Sequence, residues 1–169
     1  MFRNLILYFS LLTVFFTYGQ DIPENPNLII GKKSPNIVFT DTAGINYTLH
    51  STQSVYTVLI LYSSDCDHCM IELPKIYEAY SKARKRKYEV VALNTHHPYY
   101  EVEPTKALLK KHKFSWINGI PVEFQTERDY FLYATPSIFV LDKDKNIISK
   151  RMFNAADLQA TLKQLKIIK

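Results

Sequence analysis

Apolar residues run along this chain in two rhythms, and the change between them marks its elements. Val55 to Tyr62 (Val-Tyr-Thr-Val-Leu-Ile-Leu-Tyr) is a continuous β-branched and aromatic run, the pattern of a strand buried on both faces. Tyr88 to Asn94 repeats it as a second buried strand. Asn36 to Thr40 and Asn46 to His50 are shorter strand-like runs, and Asp41-Thr42-Ala43-Gly44 between them supplies the turn chemistry of a hairpin. Ser137 to Leu141 and Asn146 to Met152 read as another hairpin, closed by Asp142-Lys143-Asp144-Lys145.

The helical rhythm starts where the first buried strand stops. Met70, Leu73, Ile76, Tyr77 and Tyr80 recur at helical spacing, which predicts a helix from about Asp67 to about Lys85, kinked at Pro74. A shorter helix is expected from Pro104 to His112, with proline in its first turn and lysines toward its end. The chain closes on a helix with Leu158, Leu162 and Leu165 on one face behind a cap at Asn154. Phe114 to Thr126 shows neither rhythm. The order of elements predicts an α/β fold: a mixed central sheet flanked by helices, with an N-terminal β-hairpin.

The first 19 residues stand outside that pattern. Arg3, the apolar run Leu5 to Phe16 and small residues at Thr17 and Gly19 read as a secretory signal peptide. A transmembrane anchor needs about 20 apolar residues, more than this run provides. The expected division is a signal peptide over 1–19, a proline-bearing lead-in over 20–35 and one domain over 36–169. That places the mature chain in the periplasm or outside the cell, where disulfides persist and thiols need a supply of electrons.

Composition narrows the chemistry. The chain has 169 residues, 47% hydrophobic and 22% charged, which suits one domain with a core large enough to hold without metal or disulfide staples. Two cysteines exclude a disulfide scaffold. The formal charge of +5 permits an anionic partner, but the basic residues of 82–87 and 106–113 read first as solvated helix ends. Nucleic-acid binding is not expected of a secreted chain without stacking platforms in a basic groove. Tyr99, Tyr100, Tyr130 and Tyr133 are candidates to line a groove, against the simpler reading of core packing.

The two cysteines form Cys66-Asp67-His68-Cys69 where a buried strand hands over to a helix. In a helix's first turn Cys66 lies near unpaired N–H groups and the positive end of the dipole, which favour the thiolate, while Cys69 lies deeper. The two-residue spacer lets the pair cycle between dithiol and disulfide. A purely structural bridge over so short a ring is worth only about 2 kcal/mol. Half of a metal site is a second alternative, with His68, His96, His97 or His112 completing it and copper the suited metal. A peroxidatic cysteine is disfavoured by the missing proline and threonine upstream. His68 as imidazolium would stabilise the Cys66 thiolate, whereas Asp65 and Asp67 oppose it.

These residues resemble the thioredoxin superfamily, and within it the secreted TlpA/ResA-like thiol-disulfide oxidoreductases. The resemblance spans roughly Gly31 to Lys166 and is carried by the Gly31-Lys-Lys-Ser-Pro35 entry, Cys66-Asp-His-Cys69-Met-Ile-Glu72-Leu-Pro74, and Ala134-Thr135-Pro136-Ser-Ile-Phe-Val-Leu-Asp142. It implies a thioredoxin-like fold, Cys66 as attacking nucleophile and Cys69 as resolving thiol. It also implies Glu72 as the carboxylate that moves protons and tunes the pair, with His68 and Asp67 as neighbours that shift their pKa values. Pro136 is then a cis-proline facing the disulfide, and Thr135 offers backbone to an extended substrate. Asp65 in place of the usual tryptophan, Ala134 in place of glycine and Ile60 in place of a buried aspartate depart from the pattern. The resemblance implies no organic cofactor, protein disulfides or dithiols as substrates, a membrane electron donor to reset the pair, and net reduction. A net oxidant and a copper-carrying assembly module are the alternatives.

Overall fold

The structure, a computed structural model, describes residues 28–83, 87–95 and 102–169. The signal-peptide segment, the start of the lead-in, His96, His97, Tyr99 and Tyr100 lie outside the described residues.

Six strands form one sheet: β1 (Val38–Thr40), β2 (Asn46–Thr48), β3 (Tyr56–Tyr62), β4 (Tyr88–Asn94), β5 (Ile117–Pro121) and β6 (Ser137–Leu141), in the order β2-β1-β5-β4-β3-β6. Four helices accompany them: α1 (Asp67–Lys82), α2 (Val102–His112), α3 (Gln125–Asp129) and α4 (Ala155–Gln164). The apolar run of β3 has the neighbours it requires on both sides. It pairs parallel with β4 from Tyr56↔Tyr88 to Tyr62↔Asn94, and antiparallel with β6 from Thr57↔Leu141 to Leu61↔Ser137. β5 continues the parallel set beside β4, and the N-terminal hairpin joins through antiparallel pairing of β1 with β5.

Strand alternation divides the core. Val58, Ile60 and Tyr62 face Leu73, Ile76 and Tyr80 of α1 and Leu158 and Leu162 of α4, while Leu59 and Leu61 pack with Phe39, Tyr130, Phe139 and Ile147 on the other side. Fully burying a Leu or Ile side chain is worth about 1.5–3 kcal/mol, so these two layers hold the sheet between them.

Register decides where the site falls. Because β3 and β4 are parallel, their C-terminal ends lie together, and Asn94 Oδ1 accepts the Ser64 N–H at 3.3 Å. Because β6 runs antiparallel to β3, its first residue, Ser137, lies opposite Leu61 near that same end. The segment ahead of β6 is thereby delivered to the loop that carries Cys66.

Several expectations are corrected. The first hairpin is shorter than expected: Leu49–Ser51 turn as a single 3-10 helix, with Thr48 Oγ1 accepting the Ser51 N–H. α1 stops at Lys82 rather than Lys85, and α2 begins at Val102, ahead of Pro104. Asn146 to Met152 is not a strand. It meets β6 at isolated bridges, Leu141↔Ile147 and Ile138↔Met152, with the Ile148 N–H donating to the Val140 carbonyl at 2.8 Å between them; the bridged stretch is two residues longer than the one it opposes, so the ladder bulges. Inside that bulge Ser149 Oγ accepts the Val140 N–H at 2.8 Å, a side chain replacing a backbone partner. The unpatterned stretch 114–126 holds β5 and leads into α3. At Asn154 the expected cap is present, its Oδ1 accepting the Asp157 N–H at 2.8 Å.

Candidate functional site

Cys66 is the N-cap of α1 rather than a residue of its first turn. Extended backbone at Cys66 (φ −91°, ψ 107°) leaves its sulfur where a capping oxygen usually sits, and Sγ accepts the Cys69 N–H at 3.1 Å. The nucleophile candidate therefore takes up one of the unpaired donors at the helix start. Its own S–H donates to the Thr135 carbonyl at 3.3 Å, across 69 positions of sequence. That contact joins the two motifs.

The sulfurs are unequal. Cys66 is partly exposed and Cys69 buried, both as free thiols. Burial pushes the Cys66 thiol up, but bonds from the Cys69 and Thr135 side chains and the amides of Cys69 and His68 outweigh it, leaving Cys66 below the ordinary thiol value. For Cys69 burial dominates and Cys66 adds to it, pushing that thiol up to about 12. Thiolate therefore forms more readily at Cys66 than at Cys69.

Thr135 and Pro136 reach the site by the antiparallel delivery of β6, and the bond between them is cis. The Ala134 carbonyl accepts the Ser137 hydroxyl at 2.7 Å, which ties this loop to its own strand.

Glu72 lies one turn beyond Cys69, buried, with both oxygens engaged. Oε2 accepts the Ala155 N–H at the start of α4 at 2.7 Å, and Oε1 accepts from Lys75 Nζ at 2.6 Å. Burial pushes its carboxyl up; the Ala155 amide, the Lys75 ammonium and the His68 ring pull it down, and the net is below the ordinary carboxylate value. His68, one turn before Glu72, bonds through Nε2 to the Phe153 carbonyl at 3.0 Å. Two side chains on one face of α1 therefore hold residues 153–155. Asp67 opens α1, exposed to solvent.

The remaining candidates separate. Tyr130 is fully buried, its hydroxyl donating to the Pro35 carbonyl at 2.7 Å, so it packs the core and lines no groove. Tyr133 does line one. Beside the site is a cleft of about 260 Å³, formed by Ser63 and Thr95 after β3 and β4, Glu127 of α3, and residues 132–135. Sequence reasoning missed Glu127, which follows directly on the unpatterned stretch 114–126 and enters the site only through the fold. His112 stacks on Phe114, ring centroids 5.2 Å apart. Among the described residues no group of three or more His, Cys, Asp and Glu side chains is arranged to hold a metal ion.

Known proteins resemble this chain in sequence and fold. The thiol-disulfide oxidoreductase ResA of Bacillus cereus is 26% identical over 151 residues, covering 89% of this chain and 86% of its own. A domain of a possible thiol-disulfide isomerase from Cytophaga hutchinsonii superposes with TM-score 0.73 at 35% identity, over 84% of this chain and 96% of that one. A putative thiol:disulfide interchange protein DsbE from Chlorobium tepidum shares the fold, with TM-score 0.69 at 21% identity over 82% of this chain and 96% of its own. The AhpC/TSA family pattern matches residues 30–150, from the entry segment through the β6 bulge. That match takes in both cysteines and the Thr135–Pro136 loop, and with the thioredoxin-like fold around them it makes this chain a member of the AhpC/TSA family.

Proposed function

We propose that this thiol-disulfide oxidoreductase works outside the cytoplasm as a net reductant of protein disulfides. The observation that carries the reading is the inequality of the two sulfurs, one capping a helix with a lowered pKa and one buried with a raised pKa.

Exchange begins when the Cys66 thiolate attacks one sulfur of a substrate disulfide. The Cys66–substrate bond forms, the substrate S–S bond breaks, and the other substrate sulfur leaves as a thiolate that takes up a proton. Loss of the Cys66 proton also frees the Thr135 carbonyl, which then accepts an N–H from the extended substrate segment. Cys69 next gives up its proton and attacks Cys66. The Cys66–Cys69 disulfide forms, the second substrate thiolate departs, and two electrons have passed to the substrate. Glu72 is the carboxylate that receives the Cys69 proton. Oε1 is the oxygen available for this, because its partner Lys75 is exposed while Oε2 is held by the Ala155 amide. His68 acts on Cys66 through its backbone amide while its ring holds Phe153; the carboxylate of Asp67 beside Cys66 in sequence disfavours a second negative charge there.

The extracytoplasmic location rests on the hydrophobic run Leu5 to Phe16 behind Arg3. In that setting a membrane electron donor resets the oxidised pair.

Trapping tests the mechanism. Reduced Cys69→Ser protein mixed with a disulfide-bearing protein should accumulate a mixed disulfide at Cys66 that added dithiol releases. Reduced Cys66→Ser protein should accumulate none. Equal trapping by the two variants, or none by either, contradicts the assignment of roles.

A further inference from the structure

We infer that the cleft beside Thr135 is a subsite for a cationic side chain, lysine or arginine, on the substrate segment that carries the disulfide, and that Glu127 reads its charge. This rests on the exchange reading above and names the substrate class of the same site.

Position comes first. The cleft runs from the strand ends to Thr135, whose carbonyl touches Cys66 Sγ. An extended segment advances about 3.3 Å per residue, so a side chain within one or two residues of the reacting cysteine reaches this space.

The lining then selects the occupant, because the hydroxyls of Ser63 and Thr95 are already committed and only one charged group stands in it. Ser63 Oγ accepts the Asp65 N–H, and the Thr95 hydroxyl donates to the Tyr62 carbonyl. The Thr135 carbonyl accepts the Cys66 S–H at 3.3 Å. Arg151 is not one of the lining residues; its guanidinium lies 4.7 Å from the Tyr133 ring centroid and is engaged by the carbonyls of Tyr130 and Phe131. Glu127 alone in the lining presents an exposed carboxylate with no hydrogen bond or ion pair among the described residues. Leu132 and Tyr133 supply apolar wall beside it, which suits the methylene stem of a lysine or arginine whose head reaches a carboxylate.

The formal charge of +5 on the whole chain opposes a cationic partner at long range. Screening limits that opposition, since the Debye length is about 8 Å at physiological salt and a contact pair lies inside it. The local carboxylate therefore decides the preference.

The test uses the full chain and three synthetic disulfide peptides that differ only beside one cysteine, with lysine, glutamine or glutamate. Reduction of the lysine peptide should exceed that of the glutamate peptide by about threefold in kcat/KM, the scale of an exposed charge pair. Glu127→Gln should bring the ratio close to one, and Glu127→Lys should invert it. Equal rates on all three peptides, or a lysine preference that survives Glu127→Gln, overturns the subsite and leaves thiol exchange standing. Failure to reduce even the glutamine peptide removes the exchange reading itself, and the subsite with it.

Discussion

Cys66 does two jobs with one atom. As an N-cap its sulfur satisfies the Cys69 N–H, and as the proposed nucleophile it would use the negative charge that the same donor stabilises. The Thr135 carbonyl pulls the other way by accepting the S–H, so deprotonation and release of that carbonyl are one event. The two thiols should accordingly titrate far apart. On the dithiol protein, alkylation read separately at each cysteine by mass spectrometry should show Cys66 reacting with a midpoint below 9.0 and Cys69 staying inert until near 12. A shared midpoint, or Cys69 reacting first, would contradict the assignment. At this scale the sequence was informative about identity: the cysteines and Thr135–Pro136 were legible because their chemistry is tied to short motifs. Partners were not legible. That Glu72 would bond an amide 83 positions away, or that Lys145 would be buried with Nζ on Thr57 Oγ1, depends on packing that no local pattern records.

Elements are joined at the site by α1, whose His68 and Glu72 hold the start of α4. The Ala155 N–H is a buried donor at a helix start, so Glu72→Ala leaves it without its acceptor, at a cost of about 1–3 kcal/mol. Glu72→Gln keeps a carbonyl oxygen there and should cost less. The sign with pH follows from the depressed carboxyl of Glu72. Such a group contributes stability that is present above its ordinary value of 4.5 and lost as pH falls through the lower folded value. The gap in unfolding free energy between wild type and Glu72→Gln should therefore be largest near neutral pH and close in acid; a gap that is flat with pH would show that the charge contributes nothing. β5 makes a different point. Asn118, Gly119 and Pro121 hide it from any strand pattern, yet a Cβ on Gly119 would lie 2.4 Å from Cδ2 of Phe39, so only glycine lets β1 close against β5. Gly119→Ala should lower stability by about 1–3 kcal/mol through overpacking, measured by denaturant unfolding, and an unchanged midpoint would refute that close fit. The long runs of β3 and β4 were legible because burial on both faces leaves no polar positions to blur them. The segment after β6 was misread because a bulge keeps the residue types of a strand while breaking its ladder.

For the whole molecule, topology turns two separated motifs into one site. Parallel β3 and β4 end together, antiparallel β6 begins beside them, and Cys66 meets Thr135 at that edge. The element order predicted the mixed sheet, while the nearness of Thr135–Pro136 to the cysteines was expected only from the resemblance. The cleft with Glu127 followed from neither, because it is assembled from separate stretches of chain with no signature in any of them. The proposed mechanism requires that the pair be a reversible two-electron couple poised to reduce. Its most direct test is the reduction potential of Cys66–Cys69, measured by equilibrating the purified protein in graded dithiol buffers. A value near about −270 mV, the thioredoxin range, is the predicted result. A value near about −120 mV would make the protein an oxidant, and a pair that does not titrate as a two-electron couple would contradict disulfide exchange outright.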